Sequence, residues 1–239
     1  MTQTPADVFA ALEATWPPVR IWQKGPWRLR AGAGGGKRVS AANAQLDVRE
    51  ADIELAEAEM RDVGQTPLFV LYDEADPLDE MLGQRGYRCL DPTVALLAPV
   101  GALTDEPIPP VTTFEIWEPL AIMREIWAAG GIGPARLDVM SRAQMKTAIL
   151  ARAHDKPAGT AFVAKHRQIA MVHAVEVLPT FRRQGMASWI MRAAALWADR
   201  QGAETLAVLC TRANAPALSL YSALGFRPSC GYHYRQLDT

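Results

Sequence analysis

The sequence has few of the residues that build disulfide frameworks and metal sites. Three cysteines occur among 239 residues, and Cys89, Cys210 and Cys230 are too few and too scattered for a disulfide framework or a zinc site. The histidines show no metal-ligand spacing either; they are His154, His166, His173 and His233. We therefore expect a protein from a reducing compartment that uses no metal.

An excess of charge of one sign is also missing, as are long apolar runs. The formal net charge is −1 and the pI is about 6.4, which argues against nucleic acid or an anionic membrane as the main partner. No apolar run approaches the length of a transmembrane span, and no signal peptide opens the sequence. We expect a soluble, cytoplasmic protein, either a monomer or a homodimer.

Hydrophobic residues, in contrast, make up 49% of the chain, which is enough for a substantial core. Residues 99–110 hold four prolines and a small acidic cluster, a composition typical of a linker. We expect this linker to separate an N-terminal α/β domain, residues 1–98, from a second domain, residues 111–239. Strands and helices alternate along both segments, which predicts an α/β fold with a mixed sheet.

The most informative stretch joins an apolar strand, Ile169–Val177, to a helix predicted over Gly185–Gln201. The turn between them places unpaired backbone N–H groups and the positive end of the helix dipole next to two arginines. This arrangement predicts an anion site of a size that suits a pyrophosphate. A glycine at position 185 lets phosphate oxygens approach the backbone, where a Cβ would block them. The residues of this turn are Arg182, Arg183, Gln184, Gly185, Met186 and Ala187.

A second motif follows at residues 214–226, after a predicted strand over Thr205–Cys210. It comprises Asn214, Ala217, Tyr221, Gly225 and Phe226. The two motifs, in this order and at this separation, resemble the GNAT superfamily of acyl-CoA N-acyltransferases, whose signature Arg/Gln-x-x-Gly-x-Gly/Ala is matched by residues 182–187. The resemblance covers about the last 130 residues.

The resemblance implies a GNAT-like fold and an acetyl-CoA-dependent N-acetyltransferase that acts on a primary amine of a small molecule or peptide. It implies that the backbone of Val177 and Leu178 pairs with the pantetheine arm of the cofactor, and that residues 182–187 bind the pyrophosphate. Asn214 is expected to contact the cofactor and to cap a helix that has Pro216 in its first turn. A non-catalytic acyl-CoA-binding or regulatory protein, and a structural protein on the same scaffold, are the alternatives.

Three residues are candidates for proton transfer. Tyr221 is the expected general acid for the departing thiolate, because a phenol pKa near 10 suits that task; a capped core aromatic is the alternative. His173 and Glu176 are candidates for the base. Both lie on the strand before the turn at residues 182–187, which we call the phosphate turn. Since they are an odd number of residues apart, we expect them to face opposite sides of the sheet, and His173 is the preferred base.

Two features of the N-terminal segment bear on its role. The layout of residues 67–87, a strand, a helix and a glycine before an aromatic, repeats that of residues 205–226, with Leu82 in register with Tyr221. This segment is therefore either a degenerate GNAT-like copy or an ordinary strand–helix–strand unit. A glycine run over residues 32–36 precedes Lys37 and predicts a turn between strands rather than a phosphate loop, with a strand at 37–42.

Overall fold

The eight-stranded sheet at the centre of the protein contains strands from both halves of the chain. We describe residues 3–72 and 76–237 of a computed structural model. The strands are β1 Arg20–Lys24, β2 Trp27–Ala31, β3 Asn43–Ala44, β4 Leu68–Leu71, β5 Arg88–Pro99, β6 Thr113–Ile116, β7 Met145–Ala153, β8 Lys156–His166, β9 Ile169–Val177, β10 Thr205–Thr211 and β11 Arg227–Gln236. The helices are α1 Pro5–Thr15, α2 Glu50–Asp62, α3 Pro77–Gln84, α4 Ala121–Ala129, α5 Pro134–Arg142, α6 Met186–Arg200 and α7 Ala215–Ala223.

Strands β1, β2 and β3 form a small antiparallel sheet, and the other strands follow the order β4-β11-β5-β10-β9-β8-β7-β6. Strands β9 and β10 run parallel, whereas the other neighbours in the large sheet are antiparallel. The mixed α/β fold expected from the sequence is confirmed.

Strand β5 belongs to the N-terminal segment but lies between β10 and β11 of the C-terminal segment. It pairs with β10 through residues 93–99 and with β11 through residues 88–97. The predicted linker is also tied to the fold, since Val100 and Leu103 are buried and Arg192 of α6 binds Asp105 at 2.6 Å. The sheet therefore crosses the boundary expected at residues 99–110.

A helix–strand–helix–strand unit occurs twice, first as α2–β4–α3–β5 and then as α6–β10–α7–β11. The first helix of each unit ends at a left-handed glycine, Gly64 (φ +71°) or Gly202 (φ +70°), and the second at Gly86 or Gly225, both at φ +85°. The last strands are exchanged, because β11 pairs with β4 and β5 pairs with β10. The layout that is repeated in the sequence is thus repeated in the structure, and its two copies share one sheet.

The predicted strand at residues 37–42 is wrong. Residues Lys37–Val39 form a 3₁₀ turn instead, in which the amides of Ser40 and Ala41 both bond to Lys37 O, at 3.1 and 3.0 Å. Gly36 enters this turn at φ +95°, and the Ser40 hydroxyl donates to Gly36 O at 3.1 Å. These local bonds outcompete the apolar–polar alternation that resembled a strand.

The large sheet separates two layers of helices. Helices α1, α4 and α5 pack on one face, where Leu12, Trp127 and Met140 belong to a buried cluster. Helix α6 covers the other face with a second cluster that includes Ile190 and Trp197. The helical period read from the sequence is confirmed, since α6 spans Met186–Arg200 and buries its apolar stripe. In the described part of the chain, no helix has both the length and the apolar character needed to cross a bilayer.

Candidate active site

The two parallel strands at the centre of the sheet separate partway along their length. Strands β9 and β10 are paired from Ile169, opposite Thr205, to Val172, opposite Val208. Beyond these residues both strands continue, but they are no longer hydrogen-bonded to each other. Beyond Val172, β9 pairs only with β8. The result is a gap between the ends of β9 and β10, open at the edge from which the phosphate turn and α7 begin.

A bulge in β9 lies at the start of this gap. Ala174 has φ +51°, and the β8–β9 register shifts between Thr160 and Phe162. The extra residue breaks the alternation of sides, so His173 and Glu176 both lie on the face covered by α1 and α4. The prediction that they face opposite sides is therefore wrong, because it assumed an unbroken period of two.

The phosphate turn supplies a run of free backbone donors. Among the described residues, none of the N–H groups from Arg183 to Ser188 has a hydrogen-bond partner, and the first helical bond is Trp189 N–H to Gly185 O at 3.1 Å. Arg183 (φ +63°) and Gly185 (φ +78°) are left-handed, which curves this backbone into a concave cradle. The cradle lies at the N-terminus of a helix of 15 residues, so it is suited to bind an anion.

Strand β9 presents one backbone residue to the gap. The N–H of Leu178 donates across to Ala158 O of β8 at 2.9 Å, so the N–H and C=O of the preceding Val177 point to the other edge. Arg182 Nε donates to Val177 O at 3.1 Å and ties the phosphate turn to the strand. Of the two predicted pantetheine partners, Val177 therefore has an N–H directed into the gap, whereas Leu178 uses its own within the sheet.

Helix α7, which follows β10 on the other side of the gap, carries Asn214 and Tyr221. The side chain of Asn214 accepts a hydrogen bond from Ala217 N–H at 3.2 Å, so it is the N-cap that the sequence predicts. Tyr221 is 7% exposed and packs against Phe226 with ring centroids 5.7 Å apart. Burial raises the pKa of the Tyr221 phenol well above its ordinary value, which keeps it protonated at neutral pH.

His173 is 3% exposed and lies against α1, with its ring centroid 5.0 Å from that of Trp16. Its Nε2 is 3.0 Å from Thr15 Oγ1, and its Nδ1 is buried with no hydrogen-bond partner in the described chain. Burial, and secondarily the positive charge of Arg38, hold the pKa of His173 well below its ordinary value. The imidazole is therefore neutral at pH 7.

Glu176 is half-buried beside the end of α4. A Cβ built on Gly130 would stand 2.4 Å from Glu176 Cδ, so the carboxylate occupies the space that this glycine leaves open. Glu176 forms no hydrogen bond or ion pair within the described residues. Burial raises its pKa, opposed by the positive charge of Arg182. A carboxylate of this kind accepts a proton more readily than a solvated one.

Residues 115–226 match the family model described as acetyltransferase (GNAT) family. This segment of the chain belongs to the GNAT family. The protein is therefore an acyltransferase, and more specifically an N-acetyltransferase.

Individual relatives resemble the whole chain rather than the GNAT segment alone. It is 26% identical over 234 residues to the uncharacterized N-acetyltransferase YobR of Bacillus subtilis strain 168, a match that covers 93% of this chain and 94% of the relative. A GCN5-related N-acetyltransferase from Kribbella flavida superposes with a TM-score of 0.74 at 21% identity, over 100% of this chain and 97% of that one. A tandem GNAT protein from the clavulanic acid biosynthesis pathway superposes with a TM-score of 0.60 at 13% identity, over 96% and 86% of the two chains. The last two likenesses show the fold alone.

Next to the GNAT segment, a cavity of about 380 Å³ opens where β9 and β10 separate. Ala174 and Thr211 line it from the two strands, whereas most of its wall comes from the N-terminal segment. That wall includes Trp16, Gly35, Gly36, Lys37, Arg38, Asp91 and Thr93. The glycine run is thus a turn, as predicted, but it also borders the candidate active site. No local pattern marks the basic pair that follows the glycines, Lys37 and Arg38, as part of this cavity.

No three His, Cys, Asp or Glu side chains in residues 3–72 and 76–237 are grouped as a metal site would require.

The other residues that shape the cavity are Ile132, Arg136, Tyr232 and Tyr234. Their positions come from non-local packing of α5 and β11 on the N-terminal segment, and no local motif marks them.

Proposed function

We propose that the protein is an acetyl-CoA-dependent N-acetyltransferase that transfers the acetyl group directly to a primary amine of a small molecule or peptide. The observation that carries this proposal is the cradle of unpaired N–H groups from Arg183 to Ser188 beside the gap between β9 and β10. Acetyl-CoA would supply the acetyl group as a thioester. The residues present fit it, since a pyrophosphate satisfies the free donors and the left-handed Gly185 keeps the approach clear.

Both backbone groups and side chains bind the cofactor. Residues 182–187 bind the pyrophosphate, with the side chains of Arg182 and Arg183 adding positive charge. Val177 N–H holds the pantetheine arm as a pseudo-strand partner in the gap, and Leu178 shapes the same edge. Asn214 caps α7 and lies where that helix meets the arm.

Two residues move the protons of the reaction. Glu176 accepts the proton that the amine loses as its nitrogen bonds to the acetyl carbon, directly or through one water. Tyr221 gives its phenolic proton to the sulfur as the carbon–sulfur bond breaks, so the products are the amide and the free thiol of CoA. Positioning of the two substrates along the gap supplies a large part of the rate. His173 is the second candidate for the base, and its neutral ring at pH 7 allows this role.

The test combines titration calorimetry with a thiol-release assay. We expect one equivalent of acetyl-CoA to bind per chain and thiol release with at least some members of a panel of primary amines. Two equivalents per chain would contradict the assignment of a single cradle. Binding without thiol release from any amine would instead support the non-catalytic, regulatory alternative.

A further inference from the structure

The cavity beside the gap carries an unbalanced positive charge. Lys37, Arg38 and Arg136 line it, together with a single acidic residue, Asp91. Asp91 is already neutralised, because Lys37 Nζ lies 2.7 Å from its Oδ2. Two guanidinium groups therefore remain without a counter-charge in the cavity wall.

Arg38 is the more enclosed of these two. It is partly buried, and the one hydrogen bond of its guanidinium runs from Nε to the hydroxyl of Tyr232, at 3.2 Å. No carboxylate of the described chain lies within ion-pair distance of it. The nearby Arg30, by contrast, lies 2.8 Å from Glu13. A shielded guanidinium without an anion is costly, and the cost is removed when a bound anion completes the pair.

Arg136 of α5 lies beside the same turn and lines the same cavity. Its Nε would lie 3.5 Å from a Cβ on Gly36, and the one hydrogen bond of its guanidinium runs from Nη1 to Gly131 O at 3.3 Å. Within residues 3–72 and 76–237 it has no acidic partner either. Both guanidinium groups thus line one cavity of about 380 Å³, which has room for a small anion, and the missing side chain of Gly36 leaves Arg136 uncovered on that side.

The location of Arg38 links this charge to the reacting end of the gap. Arg38 lines the same cavity as Ala174 of β9 and Thr211 of β10, the two strands between which the thioester would lie. An anion held by Arg38 is thus close enough for the rest of a small molecule to reach the bulge at Ala174.

On this basis, which rests on the proposed function, we propose that the acetyl acceptor is a small amino acid-like molecule that carries both the reacting amine and a carboxylate. Arg38 forms a bidentate ion pair with the carboxylate, and Arg136 adds a second positive charge. The amine points past Ala174 to Glu176. The aromatic walls, Trp16 and Tyr234, hold the side chain of the acceptor. Polycationic amines are excluded by the same positive charge.

The first experiment compares acceptors that differ in one charge. Thiol release is measured for the common amino acids and, in parallel, for the carboxamide of each. We expect kcat/KM to be about tenfold or more higher for the carboxylates, as the loss of one charge-assisted pair implies. Arg38→Gln should erase this preference while leaving the affinity for acetyl-CoA unchanged, and Arg38→Lys should restore it in part. Arg124→Gln is the control, since Arg124 is exposed and bonds to Pro119 O.

A second readout does not depend on turnover. Titration calorimetry compares binding of N-acetyl amino acids, which keep the carboxylate, with binding of their N-acetyl carboxamides. Tighter binding of the carboxylates to the wild type, lost in Arg38→Gln, is the expected result. Equal binding of both sets overturns the inference. If thiol is released but amines with a carboxylate are not preferred, the N-acetyltransferase function still holds and only the proposed acceptor is wrong. If acetyl-CoA binds but no amine causes thiol release, the N-acetyltransferase function itself is contradicted.

Discussion

The carboxylate of Glu176 lies over the Cα of Gly130, so close that a Cβ on this glycine would stand 2.4 Å from Glu176 Cδ. Gly130 has an ordinary φ of −85°, so nothing in its backbone conformation requires glycine. What requires it is the space for the carboxylate. The end of α4 thus sets the position of the proposed base.

Gly130→Ala should therefore displace Glu176 without unfolding the protein. We expect kcat to fall by about tenfold or more, because misplacing a catalytic group by about 1 Å costs this much. The affinity for acetyl-CoA, measured by calorimetry, should stay within twofold. Gly101→Ala is the matched control, since Gly101 has open space around its Cα. Unchanged kcat in Gly130→Ala would remove Glu176 from the mechanism.

The second prediction concerns the phosphate turn. A Cβ on Gly185 would meet no part of the protein more closely than Trp189 Nε1 at 3.7 Å, so the expected effect is not a clash within the chain. Gly185→Val should instead strain a backbone at φ +78° and obstruct the approach of phosphate. We expect binding of acetyl-CoA to be lost in calorimetry.

The matched control for that change is Gly202→Ala at the other end of α6. Gly202 is also left-handed, at φ +70°, and has open space around it. The substitution should lower the free energy of unfolding by about 1 kcal/mol without changing the affinity for acetyl-CoA. If Gly185→Val bound acetyl-CoA as tightly as this control, the cradle would not be the pyrophosphate site.

Tyr221→Phe is the third prediction. Because the hydroxyl acts when the thiolate leaves, the variant should keep its affinity for acetyl-CoA and lose most of kcat. Tyr87→Phe removes a comparable buried hydroxyl that donates to Glu57 Oε1 at 2.8 Å, and it should leave kcat unchanged. Equal turnover by wild type and Tyr221→Phe would make Tyr221 a core residue only.

The fourth prediction concerns stability in acid. Arg235 and, secondarily, His233 bind Asp79 and lower its pKa from 3.8 to about 2, which ties α3 to β11. A depressed carboxyl pKa stabilises the fold above pH 3.8, and this contribution is lost as the pH falls toward 2. Asp79→Asn should lower the free energy of unfolding by about 2 kcal/mol at pH 6, and the gap to wild type should narrow below pH 4. A gap that is constant with pH in urea titrations would contradict this account.

The parts of the site that the sequence predicted are those built from consecutive residues. The strand, turn and helix around Gly185 follow from local periodicity and from one glycine, so their bounds were close to those observed. The cap at Asn214 is equally local. These features depend on backbone chemistry within a few residues, which a single sequence displays.

The parts that the sequence did not predict depend on contacts between distant segments. The bulge at Ala174 reversed the side on which Glu176 lies, and no residue type at that position signals a bulge. Arg38 reaches the site because the N-terminal segment packs over β9, and a basic residue after a glycine run gives no indication of this. The exchange of β5 and β11 is likewise invisible in a local pattern, since each strand looks complete by itself.

The last prediction tests this exchange. Expression of residues 110–239 alone removes β5, which leaves β10 and β11 with unpaired edges. It also removes Val94 and Leu96 from the buried cluster that they share with Val208 and Phe226, so these two residues lose part of their cover. We expect this fragment to be insoluble or weakly active. The two fragments 1–105 and 110–239 produced together should, in contrast, associate and recover thiol-release activity, because the sheet supplies the contacts that the cut linker does not. As a control for the cut itself, a chain with a protease site inserted between Glu106 and Pro107 should stay associated after cleavage, in size-exclusion chromatography. A soluble, fully active fragment 110–239 would show that β5 is dispensable and that the two halves are independent domains.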